Sequence, residues 1–263
     1  MDILKALLLG IVQGLTEFLP VSSSGHIELG KALLGLNLQD DLTFSIIVHF
    51  ATVLSTIVVF RKDIYKLLSA LFSFTWNAET KFISFLLLSA IPVFLVGMLL
   101  KDQIESLFEG QLLLVGFMLI VTAILLYSTT FFTHTTGKLT WKKALIIGVA
   151  QALAVLPGIS RSGATIATAL NLGVDKQQAA RFSFLMVLLP IIGASMLEVN
   201  DMVTDSASMQ IEIFPLIAGF LGSFFSGWLA CTWMLRIVKK GKIQHFAYYC
   251  LLVGLITIVV SWT

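Results

Sequence analysis

Charged residues are scarce in this sequence, and their scarcity excludes a soluble globular protein. Only 12% of the residues are charged, whereas 57% are hydrophobic. Soluble domains carry about a quarter charged residues, so the composition indicates a polytopic helical membrane protein. The formal net charge is only +2 and the basic residues are scattered among loops, which argues against a nucleic-acid partner.

Cysteines and acidic clusters are also few. The two cysteines, Cys231 and Cys250, fall in apolar segments, where we expect packing residues rather than a disulfide framework. The sequence contains no acidic cluster that would hold a metal by itself. Residues 1–20 carry Gln13 and Glu17 within their apolar stretch, and no small-residue cleavage site follows. We therefore expect this segment to stay in the mature protein rather than to be a signal peptide.

Long apolar runs, in contrast, fill most of the chain. A membrane-spanning helix needs about 20 apolar residues. Runs of about this length occupy 42–60, 82–100, 111–131, 181–199, 212–235 and 244–262. Two further runs, 3–36 and 142–173, are interrupted by proline and glycine, which predicts broken helices.

The two interrupted runs match each other without a gap when one is shifted by 138 positions. Between Lys5 and Ser45, 14 of 41 positions are identical to their counterparts: Lys5, Ala6, Leu7, Gly10, Gln13, Leu15, Ser22, Ser24, Gly25, Leu34, Gly35, Gln39, Phe44 and Ser45. This self-similarity predicts an internal duplication. A single membrane domain, 1–263, would then contain one repeat at 1–131, a loop at 132–141 and a second repeat at 142–263.

Each predicted repeat contains one broken helix and three spans, and the number of membrane crossings determines the relative orientation of the two repeats. If the broken helices are re-entrant, three crossings leave the second repeat inverted relative to the first. Lys and Arg are enriched in cytoplasmic loops, and with loop 61–81 inside only Lys5, Lys31 and Lys101 fall outside. We expect an all-α polytopic fold built by inverted-topology duplication, each half having one re-entrant helix-turn-helix and three transmembrane helices.

The first broken helix carries the segment QGLTEFLPVSSSGH at 13–26. It places the carboxylate of Glu17, three hydroxyls and the imidazole of His26 at membrane depth, where ionisable groups cost roughly 2.5–3.5 kcal/mol and usually mark a functional site. Pro20 and Gly25 interrupt the helix, and such backbone is tolerated only inside the protein or in a wet cavity. A helix that restarts after this turn would direct free N–H groups towards an anion.

The repeats differ at reactive positions. The divergent pairs are Glu17 and Val155, His26 and Ala164, and Ser23 and Arg161. One turn thus supplies a carboxylate, an imidazole and hydroxyls, and the other supplies a guanidinium, a combination suited to phosphate chemistry. The remaining candidates for phosphate binding are Ser22, Ser24, Gly25, Ser160, Ser162, Gly163 and Thr165, with Gln13 and Gln151 in supporting positions.

The segments QGLTEFLPVSSSGH and PGISRSGAT together resemble the two signature motifs of the undecaprenyl-diphosphate phosphatase family, also called the bacitracin-resistance protein family. The resemblance covers the whole chain, and its motifs are long and specific. It implies an enzyme that removes the terminal phosphate of undecaprenyl diphosphate, recycling the carrier lipid of peptidoglycan synthesis. The catalytic residues implied by the resemblance are Glu17, Ser23, His26 and Arg161.

The resemblance also implies a cofactor, a location and a substrate. The expected cofactor is a divalent cation, Mg or Ca, for which Glu17 is the candidate ligand; Gln13 stands where the family allows Glu or Gln, and the role of His49 is open. The implied location is the bacterial inner membrane, with a polyprenyl diphosphate as substrate and the bilayer as surroundings. From the loop charges we expect both termini and the opening of the site on the periplasmic side. A homodimer is one assembly that the sequence leaves open.

Several alternatives remain at this point. The nucleophile is Ser23 or His26, or water attacks directly with Ser23 as a hydrogen-bond donor. An inverted-repeat transporter or flippase for a polyprenyl phosphate would use a similar fold and anion site without a nucleophile. A lipid phosphatase of the type-2 phosphatidic-acid phosphatase class is set aside because its flanking motifs are missing. An intramembrane serine protease ranks last because it would not need Arg161.

Overall fold

The computed structural model describes residues 2–34, 42–73, 75–108, 111–131, 136–193 and 213–261. Within these ranges the regular secondary structure is helical, apart from one isolated parallel bridge between Gly137 and Val174. The helices are α1 (Ile3–Phe18), α2 (Ser23–Leu34), α3 (Leu42–Val59), α4 (Arg61–Phe72), α5 (Ala78–Leu99), α6 (Lys101–Phe108), α7 (Leu112–Ser128), α8 (Trp141–Leu153), α9 (Arg161–Asn171), α10 (Lys176–Met186), α11 (188–193), α12 (Ile213–Lys240) and α13 (His245–Val260). The expectation of an all-α membrane protein is thereby confirmed.

Both predicted broken helices are present. Helix α1 ends before Leu19, whose extended backbone is the conformation favoured before a proline. The chain then turns through Ser22, which has a φ of 71°, and continues as α2. In the second broken helix, α8 ends at Leu153 and the turn includes Gly158, with a φ of 96° that favours glycine. The expected helix–turn–helix geometry is therefore found in both places.

The predicted apolar spans correspond to helices, although the structure differs from the prediction at several places. By length and composition α5 and α12 can each cross a bilayer, and α7 and α13 are shorter apolar helices. Helix α3 is followed at once by α4, and their axes are bent by 80°. The amphipathic helices α4 and α6 were not predicted, because the apolar criterion selects only the spans. The predicted span 181–199 corresponds to α10 and α11, and its end lies outside the described residues, as do 132–135 of the predicted loop.

Small residues determine how the helices pack. Helix α1 lies against α12, and α8 lies against α5. A Cβ added at Gly10 would lie 2.9 Å from the Cα of Gly219, and one added at Gly148 would lie 2.8 Å from the Cα of Ser89. Gly10 and Gly148 are equivalent positions in the 138-residue register, so both α1 and α8 approach their neighbours through the same glycine. Close backbone approach of this kind stabilises helix pairs in membranes.

Helices α7 and α13 also meet through equivalent glycines. A Cβ at Gly116 would lie 3.0 Å from the carbonyl oxygen of Gly254, and a Cβ at Gly254 would lie 2.9 Å from that of Gly116. This reciprocal contact joins the two halves of the chain.

The main buried cluster draws on both halves as well. Phe18 of α1 packs against Phe184 of α10 with ring centroids 5.9 Å apart, and Phe82 of α5 meets Phe182 edge to face at 5.7 Å. Cys231 and Cys250 are free and fully buried, which confirms that they are packing residues. Val21 of the first turn belongs to this core, whereas Ile159 of the second turn lies in a smaller buried cluster with Ala154 and Ala164.

Candidate active site

The two turns meet in the interior and contact each other reciprocally. A Cβ at Gly25 would lie 3.5 Å from the Cα of Gly158, and a Cβ at Gly163 would lie 3.3 Å from the Cβ of Pro20. In the 138-residue register, Gly163 is the counterpart of Gly25 and Gly158 is the counterpart of Pro20. Each turn therefore packs its glycine against the same position of the other turn.

The serines follow the same reciprocal pattern. At the start of α2 the N–H of Gly25 donates to Ser22 Oγ at 3.2 Å, and at the start of α9 the N–H of Gly163 donates to Ser160 Oγ at 3.1 Å. Ser24 Oγ accepts from the N–H of Gly158 at 3.5 Å. Ser22 and Ser160 thus cap the two helices.

Ser162 of α9 is the counterpart of Ser24, and its hydroxyl contacts the first turn. Ser162 Oγ donates to the carbonyl oxygen of Leu19 at 3.2 Å, so it binds the first turn as Ser24 binds the second. Thr165 donates to the carbonyl oxygen of Arg161 at 2.9 Å. Thr165 therefore supports α9 internally, and in this structure its hydroxyl is engaged by its own helix.

Glu17 is the centre of the polar cluster. Its Oε2 accepts from Ser23 Oγ at 2.8 Å and from Gln13 Nε2 at 3.0 Å, while its Oε1 is ion-paired with Arg161 Nη2. Glu17 is only 8% exposed, so burial of its charge requires these partners. The carboxylate, the hydroxyl and the guanidinium, separated by up to 144 positions in the sequence, form one connected group.

His26 lies beside this cluster with both ring nitrogens engaged. Nδ1 is 2.8 Å from the carbonyl oxygen of Ser22, and Nε2 is 2.7 Å from the hydroxyl of Tyr249. A carbonyl oxygen only accepts, so Nδ1 carries the proton, and in the neutral ring Nε2 accepts from Tyr249. The two rings also stack, with centroids 5.6 Å apart and planes inclined by 10°.

Tyr249 is the site residue that sequence reasoning missed. It lies on α13, 223 positions from His26, in the second repeat, and an aromatic residue near the end of an apolar helix is common in membrane proteins. On the same helix, Cys250 Sγ lies 3.4 Å from the carbonyl oxygen of Pro20. Helix α13 therefore holds the first turn at two adjacent positions.

A narrow cleft leads from the polar cluster to apolar surroundings. Its polar side is formed by Glu17, Arg161 and Ser162, and its apolar side by Phe184, Val187 and Leu188. The free space between these two sides is about the size of one water molecule.

The chain matches the family described as bacitracin resistance protein BacA over residues 6–256. It belongs to the BacA family. A relative from Christiangramia forsetii, named undecaprenyl-diphosphatase, is 50% identical over 100% of this chain and 99% of its own length. Proteins of the same name from Bacteroides fragilis and Methanosphaera stadtmanae are 50% and 39% identical, each over 99% of both chains.

Two further residues of this BacA-family chain, Gln151 and His49, lie outside the hydrogen-bonded group around Glu17. Gln151, the counterpart of Gln13, is buried, and its amide nitrogen and oxygen both lack a hydrogen-bond partner. Gln13, in contrast, donates to Glu17 directly. His49 of α3 has its Nδ1 2.8 Å from the carbonyl oxygen of Ser45 and interacts electrostatically with Glu17. It stands at the edge of the cluster.

The residues around Glu17 fit a divalent cation that is shared with a substrate. Among the described residues, no group of three or more His, Cys, Asp or Glu side chains could hold a metal by itself. However, Gln13 Oε1 is completely buried without a partner, and it belongs to the side chain whose amide nitrogen binds Glu17. One carboxylate, one amide oxygen and phosphate oxygens are ligands that Mg accepts.

Proposed function

We propose that this chain is an integral-membrane undecaprenyl-diphosphatase that releases the terminal phosphate of its lipid substrate and so regenerates undecaprenyl phosphate. The observation that carries the proposal is the cluster of Glu17, Ser23 and Arg161. It joins a nucleophile, a proton acceptor and a phosphate-binding cation where the two turns meet. The names of full-length relatives support the same activity, which would account for bacitracin resistance and recycling of the carrier lipid in cell-wall synthesis.

Arg161 binds the diphosphate in this proposal. In the free protein its guanidinium is paired with Glu17, and the planar fork can turn some of its donors towards phosphate oxygens. Ser162 lines the same cavity as Arg161. The N–H groups at the starts of α2 and α9, with Ser22, Ser24 and Ser160, are the further donors proposed for the diphosphate. The first part of the polyprenyl chain would lie against Phe184 and Leu188, where the substrate must widen the small cavity of the free protein.

Ser23 is the nucleophile that the contacts favour. Its Oγ attacks the terminal phosphorus while its proton passes to Glu17 Oε2, to which it already donates at 2.8 Å. The bond from that phosphorus to the bridging oxygen breaks, and undecaprenyl phosphate leaves with the electron pair. Arg161 stabilises the charge that develops on the transferred group.

Water then hydrolyses the phosphoserine. The bond between phosphorus and Ser23 Oγ breaks, Glu17 returns its proton to Oγ, and inorganic phosphate leaves. His26 Nε2 accepts the proton of the attacking water once that water has displaced the Tyr249 hydroxyl from it. Ser23 is preferred to His26 as the nucleophile because Ser23 Oγ already donates to Glu17.

A divalent cation, Mg or Ca, would be held by Glu17, with Gln13 Oε1 as a second ligand, together with the substrate phosphates. When bound it would neutralise phosphate charge.

The proposal also includes the membrane topology of the chain. The helix pairs α1 with α12 and α8 with α5, and the glycine pair Gly116 and Gly254, support two repeats related by a twofold axis. In an inner membrane the loop charges then put both termini and the opening beside Glu17 on the periplasmic side. Every side chain of the proposed mechanism comes from one chain, so a homodimer is not required for catalysis.

A polyprenyl-phosphate transporter is the second candidate, and the meeting of two broken helices in the interior favours it. Phosphate release from undecaprenyl diphosphate by the purified protein separates the two functions. We expect release by the parent, and less than about 1% of its rate from Ser23→Ala and from Arg161→Ala, because one loses the nucleophile and the other the charge stabilisation. No release by a folded parent that binds the lipid would favour the transporter.

A further inference from the structure

A second polar cleft lies where α5 and α8 begin, and the proposed chemistry does not use it. It has about 1230 Å³ of empty space, part of it open to solvent. Residues before both helices and in their first turns line it, including Trp76, Lys81, Lys138 and Trp141. Glu17 and Arg161 line a different cleft, so this one is separate from the candidate active site.

The charge of this cleft is positive. Among the residues that the structure describes, its lining contains Lys81 and Lys138 and no carboxylate. Both lysines are exposed, so their ammonium groups are available to a ligand. A third ammonium group, that of Lys142, lies 5.5 Å from the ring centroid of Trp141 at the rim. An anion with several oxygens would find complementary charge here.

The aromatic residues indicate the depth of the cleft in the membrane. Trp76 is 73% exposed and Trp141 is 56% exposed, and exposed tryptophans concentrate at the level of the lipid headgroups. Phe85 lines the deeper, apolar part. The cleft thus has cations and indole rings near its mouth and an apolar wall below them.

The apolar side chains of the cleft come from both repeats. Phe82 and Phe85 of α5 line it together with Leu139 and Trp141 beside the start of α8. An acyl chain that descends from a headgroup in the cleft would lie against these side chains. A free inorganic anion would use only the lysines.

We propose that this cleft binds one anionic phospholipid of the surrounding bilayer, with its phosphate at Lys81 and Lys138 and its acyl chains along α5 and α8. Basic pockets between helices at the cytoplasmic face recognise anionic headgroups in this way. The lipid joins the first repeat, through α5, to the second, through α8. This site is independent of the proposed phosphatase activity.

Native mass spectrometry of the purified protein with added lipid tests the proposal. The probes are phosphatidylglycerol and phosphatidylcholine with identical acyl chains, and all variants carry Arg161→Ala so that the phosphate-binding arginine of the other cleft does not contribute. The test variant adds Lys81→Ala and Lys138→Ala. The control adds Lys66→Ala and Lys240→Ala, two exposed lysines outside the cleft, so its net charge is the same.

We expect the protein with Arg161→Ala alone and the control to bind the first phosphatidylglycerol more tightly than phosphatidylcholine. The test variant should lose this preference. Each lysine near a membrane surface contributes about 1 kcal/mol, so the double substitution weakens binding by on the order of 30-fold. Equal affinities in the test and control variants would overturn the proposal. Displacement of the lipid by equimolar inorganic phosphate would also overturn it, since the site would then bind a free anion.

Discussion

Replacing Tyr249 by Phe removes one hydrogen bond from the candidate active site and little else. The hydroxyl of Tyr249 is 2.7 Å from His26 Nε2, and it is the only atom that the substitution deletes. The stacked rings, with centroids 5.6 Å apart, and the bond between His26 Nδ1 and Ser22 remain. The substitution therefore isolates what the hydroxyl does for the orientation of the imidazole.

The expected loss is moderate. A hydrogen bond between neutral groups contributes about 0.5–1.5 kcal/mol, which corresponds to a roughly 2- to 13-fold decrease in rate. Because the imidazole acts in the proposed hydrolysis of the phosphoserine, we expect kcat to fall. KM should change less, since in the proposed mechanism Arg161 and the helix N-termini bind the diphosphate.

Steady-state phosphate release from undecaprenyl diphosphate measures this effect, and Tyr248→Phe provides a matched control. Tyr248 is the preceding residue on α13, and its ring contacts Tyr127 rather than His26. The control should retain the parental rate. An unchanged kcat for Tyr249→Phe would refute a positioning role for the hydroxyl. A loss of more than about a hundredfold would refute the reasoning in the other direction, because the hydroxyl would then participate in the reaction itself.

Three further substitutions test the remaining parts of the structure. Arg161→Lys keeps the charge but loses the fork, and we expect phosphate release to fall by on the order of 100-fold; a parental rate would remove Arg161 from the site. In Gly148→Leu the added Cβ would lie 2.8 Å from Ser89 Cα. The thermal unfolding temperature in detergent should therefore drop by several degrees, reflecting about 1–3 kcal/mol of overpacking. Gly97→Leu is the control and should leave the unfolding temperature unchanged, because Gly97 has no neighbouring atom within 4 Å of an added Cβ. Gln13→Glu adds a carboxylate beside Glu17, so half-maximal activity should need several-fold less Mg; the same Mg requirement as in the parent would show that position 13 does not contact the metal.

The sequence was sufficient to predict the parts of the molecule that depend on local rules. Pro20 and Pro157 each lie within a few residues of glycine and serine, a combination that interrupts a helix, so both turns could be located. Pro92, which is followed by apolar residues, stays inside α5. The duplication also suggested that the turns meet, and the structure brings Glu17, Ser23 and Arg161 together.

Other features depend on contacts between distant residues and could not be read from local patterns. The bond between His26 and Tyr249 depends on the rotation of α13 about its axis, which packing through Gly116 and Gly254 determines. The bend between α3 and α4 likewise follows no proline or glycine, since Phe60 separates the two helices. The side chain of Arg61 donates to the carbonyl oxygen of Val58 at this corner, a contact that composition does not reveal.

The reciprocal hydrogen bonds of the two turns have a consequence for how such a site evolves. Ser22 and Ser160 cap their helices in the same way, and Gly25 and Gly163 make the same close approach. The backbone therefore offers two nearly equivalent frames, and the side chains that distinguish them are Glu17, His26 and Arg161. In the proposed inverted topology, exchanging these few residues between the turns would reverse the face from which the substrate enters, without a new fold.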